Sequence, residues 1–267
     1  MGFLALFRSR RPLIGVVHLL PLPGAPNFDG DLAAITDRAR RDAIAYEAAG
    51  FDGLIVENFG DAPFYPGSVP PETVAAMAVV TARLAADVRV PIGVNVLRND
   101  AASALAVAAV AGGRFIRVNV HAGAVATDQG LIEGLAHETL RERARLGANV
   151  RILADVLVKP GRTLGPDDPA QAARETAGRG LADALLVTGP ATGAPPDLAR
   201  LSAIREAVRE VPVLIASGIT AANAAALAPH SDGGIVGTSV KRGGRTEAPV
   251  DARLARRLVA AWREAGA

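Results

Sequence analysis

The chain has 267 residues, of which half are apolar and 21% are charged, with a formal net charge of +2. This balance excludes a disordered chain. The chain has no cysteine, which excludes a disulfide framework and thiolate chemistry and fits a reducing cytoplasm. Basic residues are scattered and aromatic residues make up only 4%, so neither a basic patch nor a stacking platform predicts nucleic-acid binding.

Short β-branched runs alternate along the chain with longer Ala-, Leu- and Arg-rich runs of helical period. The predicted strands are 13–18, 53–58, 91–96, 115–121, 151–158, 184–188, 212–217 and 234–237. The predicted helices are 32–49, 71–86, 100–111, 131–146, 169–178, 197–209, 221–227 and 251–264. Expected N-caps are Asp31, Asn99 and Asp168, and the glycines expected at helix C-termini are Gly50, Gly112, Gly147 and Gly180.

Strict alternation of strands and helices predicts parallel strands with crossover helices, and eight such units predict a single α/β domain, a (β/α)8 TIM barrel. We expect this barrel to span 13–267, after an N-terminal extension at 1–12. An open doubly wound sheet is the alternative. It would carry a glycine-rich loop after its first strand, where this chain has His18 followed by leucines and prolines.

The N-terminal extension is apolar and then basic. It could cover the bottom of the barrel, or it could contact a membrane surface through the apolar residues Phe3, Leu4, Leu6 and Phe7 and the basic residues Arg8, Arg10 and Arg11. The sequence holds no uncharged apolar run long enough to predict a transmembrane segment.

Polar residues recur at the ends of the first five predicted strands. Alternate residues of a barrel strand face the barrel axis and the surrounding helices. In the fourth strand the apolar set Ile116, Val118 and Val120 must face the helices. The polar set Arg117, Asn119 and His121 would then face the axis and the mouth. The same reasoning places these residues together at the C-terminal mouth: His18, Glu57, Asn58, Asn95, Arg117, Asn119, His121, Asp155 and Lys159. Burying so many polar groups is costly unless they pair with one another, as Arg117 could with Glu57 or Asp155, or meet a ligand.

Lysine is rare in this chain, since Lys159 and Lys241 are the only two among 29 basic residues. Where arginine replaces lysine so widely, a retained lysine is a candidate for a role that needs a compact, titratable amine.

The last three predicted strands end in small residues that let backbone amides approach an anion. The expected phosphate-binding residues are Gly189, Ser217, Gly218, Gly237, Thr238 and Lys241. Ordinary turn glycines are the alternative interpretation of these residues.

Several longer motifs carry a family resemblance: 15–24, 53–64, 91–100, 115–123, 127–132, 154–159, 237–241 and 249–251. On these motifs the chain resembles the BtpA/SgcQ family of the ribulose-phosphate-binding barrel superfamily. The resemblance implies a TIM-type barrel that binds a phosphorylated small molecule. It also implies links to photosystem I accumulation in cyanobacterial members and to sugar catabolism in enteric members. Where the family often has His-Ala after the strand that ends at Lys159, this chain has Pro160-Gly161.

The leading hypothesis from the residues is an enzyme that acts on a phosphorylated sugar, nucleoside or related metabolite. Asp155 or Glu57 would be the general base, and Lys159 or His121 the acid, unless Lys159 forms a Schiff base. Arg117, Asn95 and Asn119 would orient substrate or stabilise negative charge. The remaining residues expected to contact substrate are His18, Asn58, Asp128 and Thr188.

Several reactions fit this inventory: isomerisation, carbon–carbon lyase chemistry, and glycosidic or phosphoribosyl cleavage. No cofactor is predicted, although Glu57, Asp155 and His121 could together hold a divalent metal. The loops 59–70 and 122–130 are long enough to act as lids over the mouth.

The second hypothesis is a non-catalytic assembly factor of the photosystem I biogenesis type that uses the barrel as a binding scaffold. Self-association is expected under either hypothesis.

Overall fold

Eight parallel strands form a closed barrel in the structure, a computed structural model that describes residues 2–158, 160–191 and 193–266. In chain order the strands are β1 Leu13–His18, β2 Gly53–Glu57, β3 Ile92–Asn95, β4 Phe115–Val118, β5 Ala124–Thr127, β6 Gly130–Glu133, β7 Arg151–Asp155, β8 Arg162–Thr163, β9 Ala184–Val187, β10 Val213–Ile215 and β11 Gly234–Val236. The barrel has the order β1-β11-β10-β9-β7-β4-β3-β2, and β6-β5-β8 is a separate antiparallel sheet.

In the described residues, one α-helix follows each of the eight barrel strands. The helices are α1 Leu32–Ala49, α2 Pro71–Asp87, α3 Ala101–Ala111, α4 Ala136–Arg145, α5 Pro169–Arg174, α6 Leu198–Ala207, α7 Ala224–Leu227 and α8 Ala252–Gly266. The predicted TIM barrel is therefore confirmed. No helix in the described ranges combines the length and hydropathy needed to span a membrane.

Apolar residues fill two layers, as the alternation along the strands predicts. Ile116 and Val118 of β4 belong to the large core between the strands and the helices. Phe115 points to the other side of the same strand and belongs to the core inside the barrel. The side chains of β4 therefore divide between the two layers as expected, which directs Arg117 inward.

The N-terminal extension closes the floor of the barrel. Phe3 is 1% exposed, and its ring meets Phe115 edge-on at 5.6 Å between centroids. Phe7 contacts both of these rings, and Leu4 and Leu6 pack against the same inner core. The extension therefore covers the bottom of the barrel, and the alternative of a membrane contact does not fit, because the side chains that would enter a membrane are packed against the inner core.

A β-hairpin replaces the start of the helix predicted at 131–146. β5 and β6 pair through the turn at Asp128 and Gln129, and α4 begins only at Ala136. Val125 and Ile132 bury one face of the hairpin against Val120 and Val158. The period of two in this segment indicates a strand, and the prediction missed it because Leu131 and Ile132 were assigned to the helix.

Helix ends follow the expected chemistry at most positions. Asp31 and Asp168 accept hydrogen bonds from the first turns of α1 and α5, and Gly50 and Gly112 end α1 and α3 in the left-handed conformation. Asp100, and not the predicted Asn99, caps α3 by accepting from the Ser103 amide.

Lys241 does not contribute to an anion site. Its side chain is fully buried, and its Nζ lies 3.1 Å from Oδ2 of Asp42 in α1 and 5.6 Å from the centre of the Tyr46 ring. Asp42 also accepts from Arg38 and from the Val250 amide. The lysine follows the barrel strand by five residues, and the 3-10 turn between them carries it outward to α1.

We predict that Lys241→Met lowers the free energy of unfolding by about 3 kcal/mol, because it leaves the buried Asp42 carboxylate undercompensated. The melting temperature would fall by about 6–12 °C. The exposed ion pair between Arg83 and Asp87 supplies the control, since Arg83→Met should cost less than about 1 kcal/mol. Thermal denaturation of both variants checks this; a normally stable Lys241→Met protein would contradict the structural role.

Candidate functional site

A cavity of about 460 Å³ opens at the C-terminal ends of the barrel strands. Many of the residues predicted for the site line it: His18, Glu57, Arg117, Asn119, Asp128, Thr188, Gly189, Ser217, Gly218, Gly237 and Thr238. They come from seven different strands or strand-following loops. The barrel therefore assembles in one place residues that are far apart in the chain.

Glu57, the last residue of β2, presents its carboxylate to the cavity. Its Oε2 accepts from Nδ2 of Asn95 at 2.6 Å, across the β2–β3 pairing. Nε2 of His18 lies 3.7 Å from Oε1, and Nη1 of Arg117 lies 3.9 Å from Oε2. Asn95 itself does not line the cavity, so its role is to orient Glu57 from below.

Arg117 joins Glu57 to a second carboxylate, that of Asp155. Its Nε and Nη2 donate to the two oxygens of Asp155 at 3.1 and 3.2 Å, and Nδ2 of Asn119 donates to Oδ2 at 2.7 Å. The Asp155 side chain has no exposed surface and lies outside the cavity wall, behind Arg117 and Asn119. It borders a smaller cavity of about 100 Å³ under the β5-β6-β8 sheet. Asp155 therefore positions the two residues that face the ligand space.

Burial changes the pKa values of Glu57, Asp155 and His18. Burial raises the pKa of Glu57, against the opposing effects of Arg117 and Asn95. Burial likewise raises the pKa of Asp155, against Arg117 and Asn119. Burial, with the positive charges of Lys241 and Arg117, lowers the pKa of His18 well below its ordinary value, so its ring is neutral at pH 7. A carboxylic acid shifted toward neutral pH can both take and return a proton.

The opposite rim of the cavity consists of small residues. A side chain at Gly218, where φ is +70°, would meet the backbone nitrogen of Pro195 at 2.1 Å. A side chain at Gly237 would meet Cε1 of His18 at 2.6 Å. Both positions thus require glycine, and this brings the loops after β9, β10 and β11 close to the cavity. Ser217 fixes two of these loops by accepting from the Gly189 amide and donating to the Ala194 carbonyl.

Besides Asn95, Asp155 and Lys241, two further predicted site residues lie away from the cavity, His121 and Asn58. Nε2 of His121 donates to the Gly180 carbonyl at 2.8 Å and the ring does not reach the cavity, because β4 ends at Val118 and the alternation stops there. Asn58 is bonded to Leu97 and Asp61 and holds two loops together. Lys159 lies outside the described residues.

Glu57, Asp155 and His121, which the sequence offered as possible metal ligands, do not come together, since the His121 ring turns to the Gly180 carbonyl. In the parts of the chain that the structure describes, no group of three or more His, Asp or Glu side chains could hold a metal ion.

Several cavity-lining residues were not assigned to the site, and four of them have long polar or aromatic side chains: Arg98, Phe59, Phe64 and Gln129. All four belong to the loops that follow β2, β3 and β5, where strand alternation gives no information. Gln129 is the neighbour of Asp128 at the hairpin turn. Arg98 follows the last residue of β3 by three residues, which is close enough for its long side chain to reach the mouth. This spacing could have predicted Arg98 as a site residue.

Comparison with known proteins identifies relatives across most of the chain. The BtpA family profile matches residues 9–264. The photosystem I biogenesis protein BtpA of Synechocystis is 49% identical over 94% of this chain and 88% of its own length. The sgc region protein SgcQ of Escherichia coli K12 is 34% identical over 88% of both chains.

Solved structures share the fold. The native KDPGal structure aligns with a TM-score of 0.60 at 18% identity, covering 97% of this chain and 98% of that one. The N-(5'-phosphoribosyl)anthranilate isomerase of Pyrococcus furiosus aligns with a TM-score of 0.58 at 13% identity, covering 95% and 99%. At this identity the likeness concerns the TIM barrel alone.

We predict that Glu57→Gln becomes more stable relative to the unmodified chain as the pH rises from 4 to 7. The raised pKa of Glu57 means that the folded protein binds its proton more tightly than the unfolded chain does, so ionisation above the ordinary pKa of about 4.3 costs stability. The variant has no such ionisation. Urea denaturation across this pH range measures the stability of the variant relative to the unmodified chain. A relative stability that falls as the pH rises would mean that the charge of Arg117 outweighs burial.

Proposed function

This chain belongs to the BtpA family, and we propose that it is an enzyme acting on a phosphorylated small metabolite at the C-terminal mouth of the barrel. The observation that carries the proposal is the division of the cavity into two sides. Glu57, Arg117 and Asn119 form a charged side, and the glycine loops after β10 and β11 form a neutral side of closely approaching backbone. Enzymes of this fold bind phosphate at the loops after strands seven and eight.

Glu57 is the proposed general acid–base residue, because it is the carboxylate of the network that lines the cavity. Arg117 would stabilise negative charge that develops on the substrate, held rigid by its two bonds to Asp155. Asn119 would orient the substrate. Proton transfer beside a developing anion suits isomerisation, carbon–carbon lyase chemistry or cleavage at an anomeric carbon.

Thr238 would contact the phosphate from the second glycine loop. Its Oγ1 lies 2.9 Å from Oγ1 of Thr246, and only Thr238 of the pair lines the cavity. These two residues give a matched set of variants, since Thr238→Val and Thr246→Val remove the same hydroxyl contact but only the first changes the proposed site.

We predict that a phosphorylated metabolite raises the melting temperature and that its dephosphorylated form does not. Phosphorylated sugars and nucleotides, with and without Mg²⁺, form the panel. A compound at ~100 times its dissociation constant should add about 2.7 kcal/mol, or about 5–11 °C. Thr238→Val should weaken binding by about tenfold or more, because a hydrogen bond to a charged group is lost, whereas Thr246→Val should not.

The second candidate function is an assembly role in photosystem I biogenesis, favoured by the 49% identity to the photosystem I biogenesis protein of Synechocystis. If no compound of the panel moved the melting temperature, the metabolic proposal would fail and the assembly role would become the better one. Equal weakening by Thr238→Val and Thr246→Val would instead contradict the placement of the phosphate.

A further inference from the structure

Two of the few aromatic side chains of this protein lie in the wall of the mouth. The chain has seven Phe, two Tyr and one Trp, and most of them are used in the core or the floor of the barrel. Phe59 and Phe64, in the loop after β2, instead line the cavity and are only partly buried. Their ring centroids are 6.4 Å apart, and Phe59 contacts the His18 ring edge-on at 5.0 Å. They form an aromatic wall beside Glu57.

Arg98 adds a planar cation on the same side of the mouth, since β2 and β3 are neighbouring strands. Its Nη2 donates to the Pro160 carbonyl at 3.3 Å. Among the described residues this guanidinium forms no ion pair, and the carboxylates of Asp155, Glu57 and Asp128 act on it through longer-range charge interactions. A guanidinium plane and aromatic rings are the groups on which planar heterocycles stack.

Four buried polar atoms of residues that line the mouth have no hydrogen-bond partner within the described protein. They are Nδ1 of His18, Oδ1 of Asn119, Oε1 of Gln129 and Oγ1 of Thr188. Because an unpartnered buried polar atom costs free energy, such atoms indicate groups that a ligand satisfies. The Asn119 oxygen can only accept, so it calls for a hydroxyl or N–H donor on the ligand.

The order of the strands spreads these features around the mouth. The glycine loops follow β10 and β11. β3, which Arg98 follows, lies opposite β10, and β2, which Phe59 and Phe64 follow, lies between β3 and β1. A strand spacing of about 4.8 Å and a tilt of about 36° give the barrel a backbone diameter of about 15 Å. An anion at the glycine loops, hydroxyl groups at the middle of the mouth and a planar ring at Phe59, Phe64 and Arg98 would occupy this span together.

We propose that the mouth binds a nucleotide-type ligand, a phosphorylated pentose that carries a planar heterocycle. The inference rests on the proposed function for its phosphate end and goes beyond it in assigning the ring to the aromatic wall. A simple sugar phosphate would leave this wall without a partner.

Isothermal titration calorimetry with matched probes tests the assignment. The probes are the four common ribonucleoside 5'-monophosphates, ribose 5-phosphate and adenosine. We expect at least one nucleotide to bind about tenfold or more tightly than ribose 5-phosphate, because base stacking on aromatic side chains has about this effect. Phe64→Leu should bring the nucleotide close to the affinity of ribose 5-phosphate and leave ribose 5-phosphate unchanged.

Tyr65→Leu is the matched control, since the adjacent Tyr65 lines a separate cleft and not the mouth. Ribose 5-phosphate binding as tightly as every nucleotide would overturn the ring assignment and leave the phosphate proposal standing. This comparison needs only the unmodified protein, so it holds even if Phe64→Leu fails to fold. Adenosine binding as tightly as its monophosphate would overturn the phosphate proposal alone, and no binding by any probe would overturn both.

Discussion

Arg117 lies at the end of β4 with its guanidinium between two buried carboxylates, and the arrangement of the mouth depends on this pairing. Asp155 on β7 accepts two hydrogen bonds from it, and Glu57 on β2 lies 3.9 Å away. Burial by itself would lower the pKa of Arg117, but the two carboxylates together raise it, so the cation is retained. Removing one member of such a set leaves an uncompensated buried charge, which typically costs 3–5 kcal/mol.

This pairing gives the two carboxylates different tasks. Asp155, fully covered, fixes Arg117 and Asn119, whereas Glu57 reaches the cavity and has the neutral His18 ring beside it. The charged groups gather on β2, β4 and β7, and the β10 and β11 side offers glycine and backbone. A ligand with a phosphate at one end would meet two chemically different walls, and these walls would set the direction in which it lies.

The sequence was informative where strand alternation holds and uninformative where it stops. Arg117 and Asp155 follow from the apolar partners of β4 and β7, and both lie where the alternation places them. The placement of His121 at the mouth was wrong, because β4 ends three residues earlier and the ring turns to the Gly180 carbonyl. The prediction that Lys241 binds phosphate was wrong. The scarcity of lysine indicates a position that needs an amine, but it does not identify the partner of that amine, which here is Asp42. Arg98 and Phe64 lie on loops, whose course depends on tertiary contacts that no local pattern records.

The central claim is that a phosphorylated metabolite lies across the mouth with its phosphate on the glycine loops and its other end at Glu57. A crystal structure of the protein soaked with ribose 5-phosphate tests this claim most directly. The account predicts the phosphate within hydrogen-bonding distance of the loops containing Gly218 and Gly237, and the first carbon of the sugar beside Glu57 and Arg117. A phosphate bound to Arg98 and Arg117, with the glycine loops free, would contradict it.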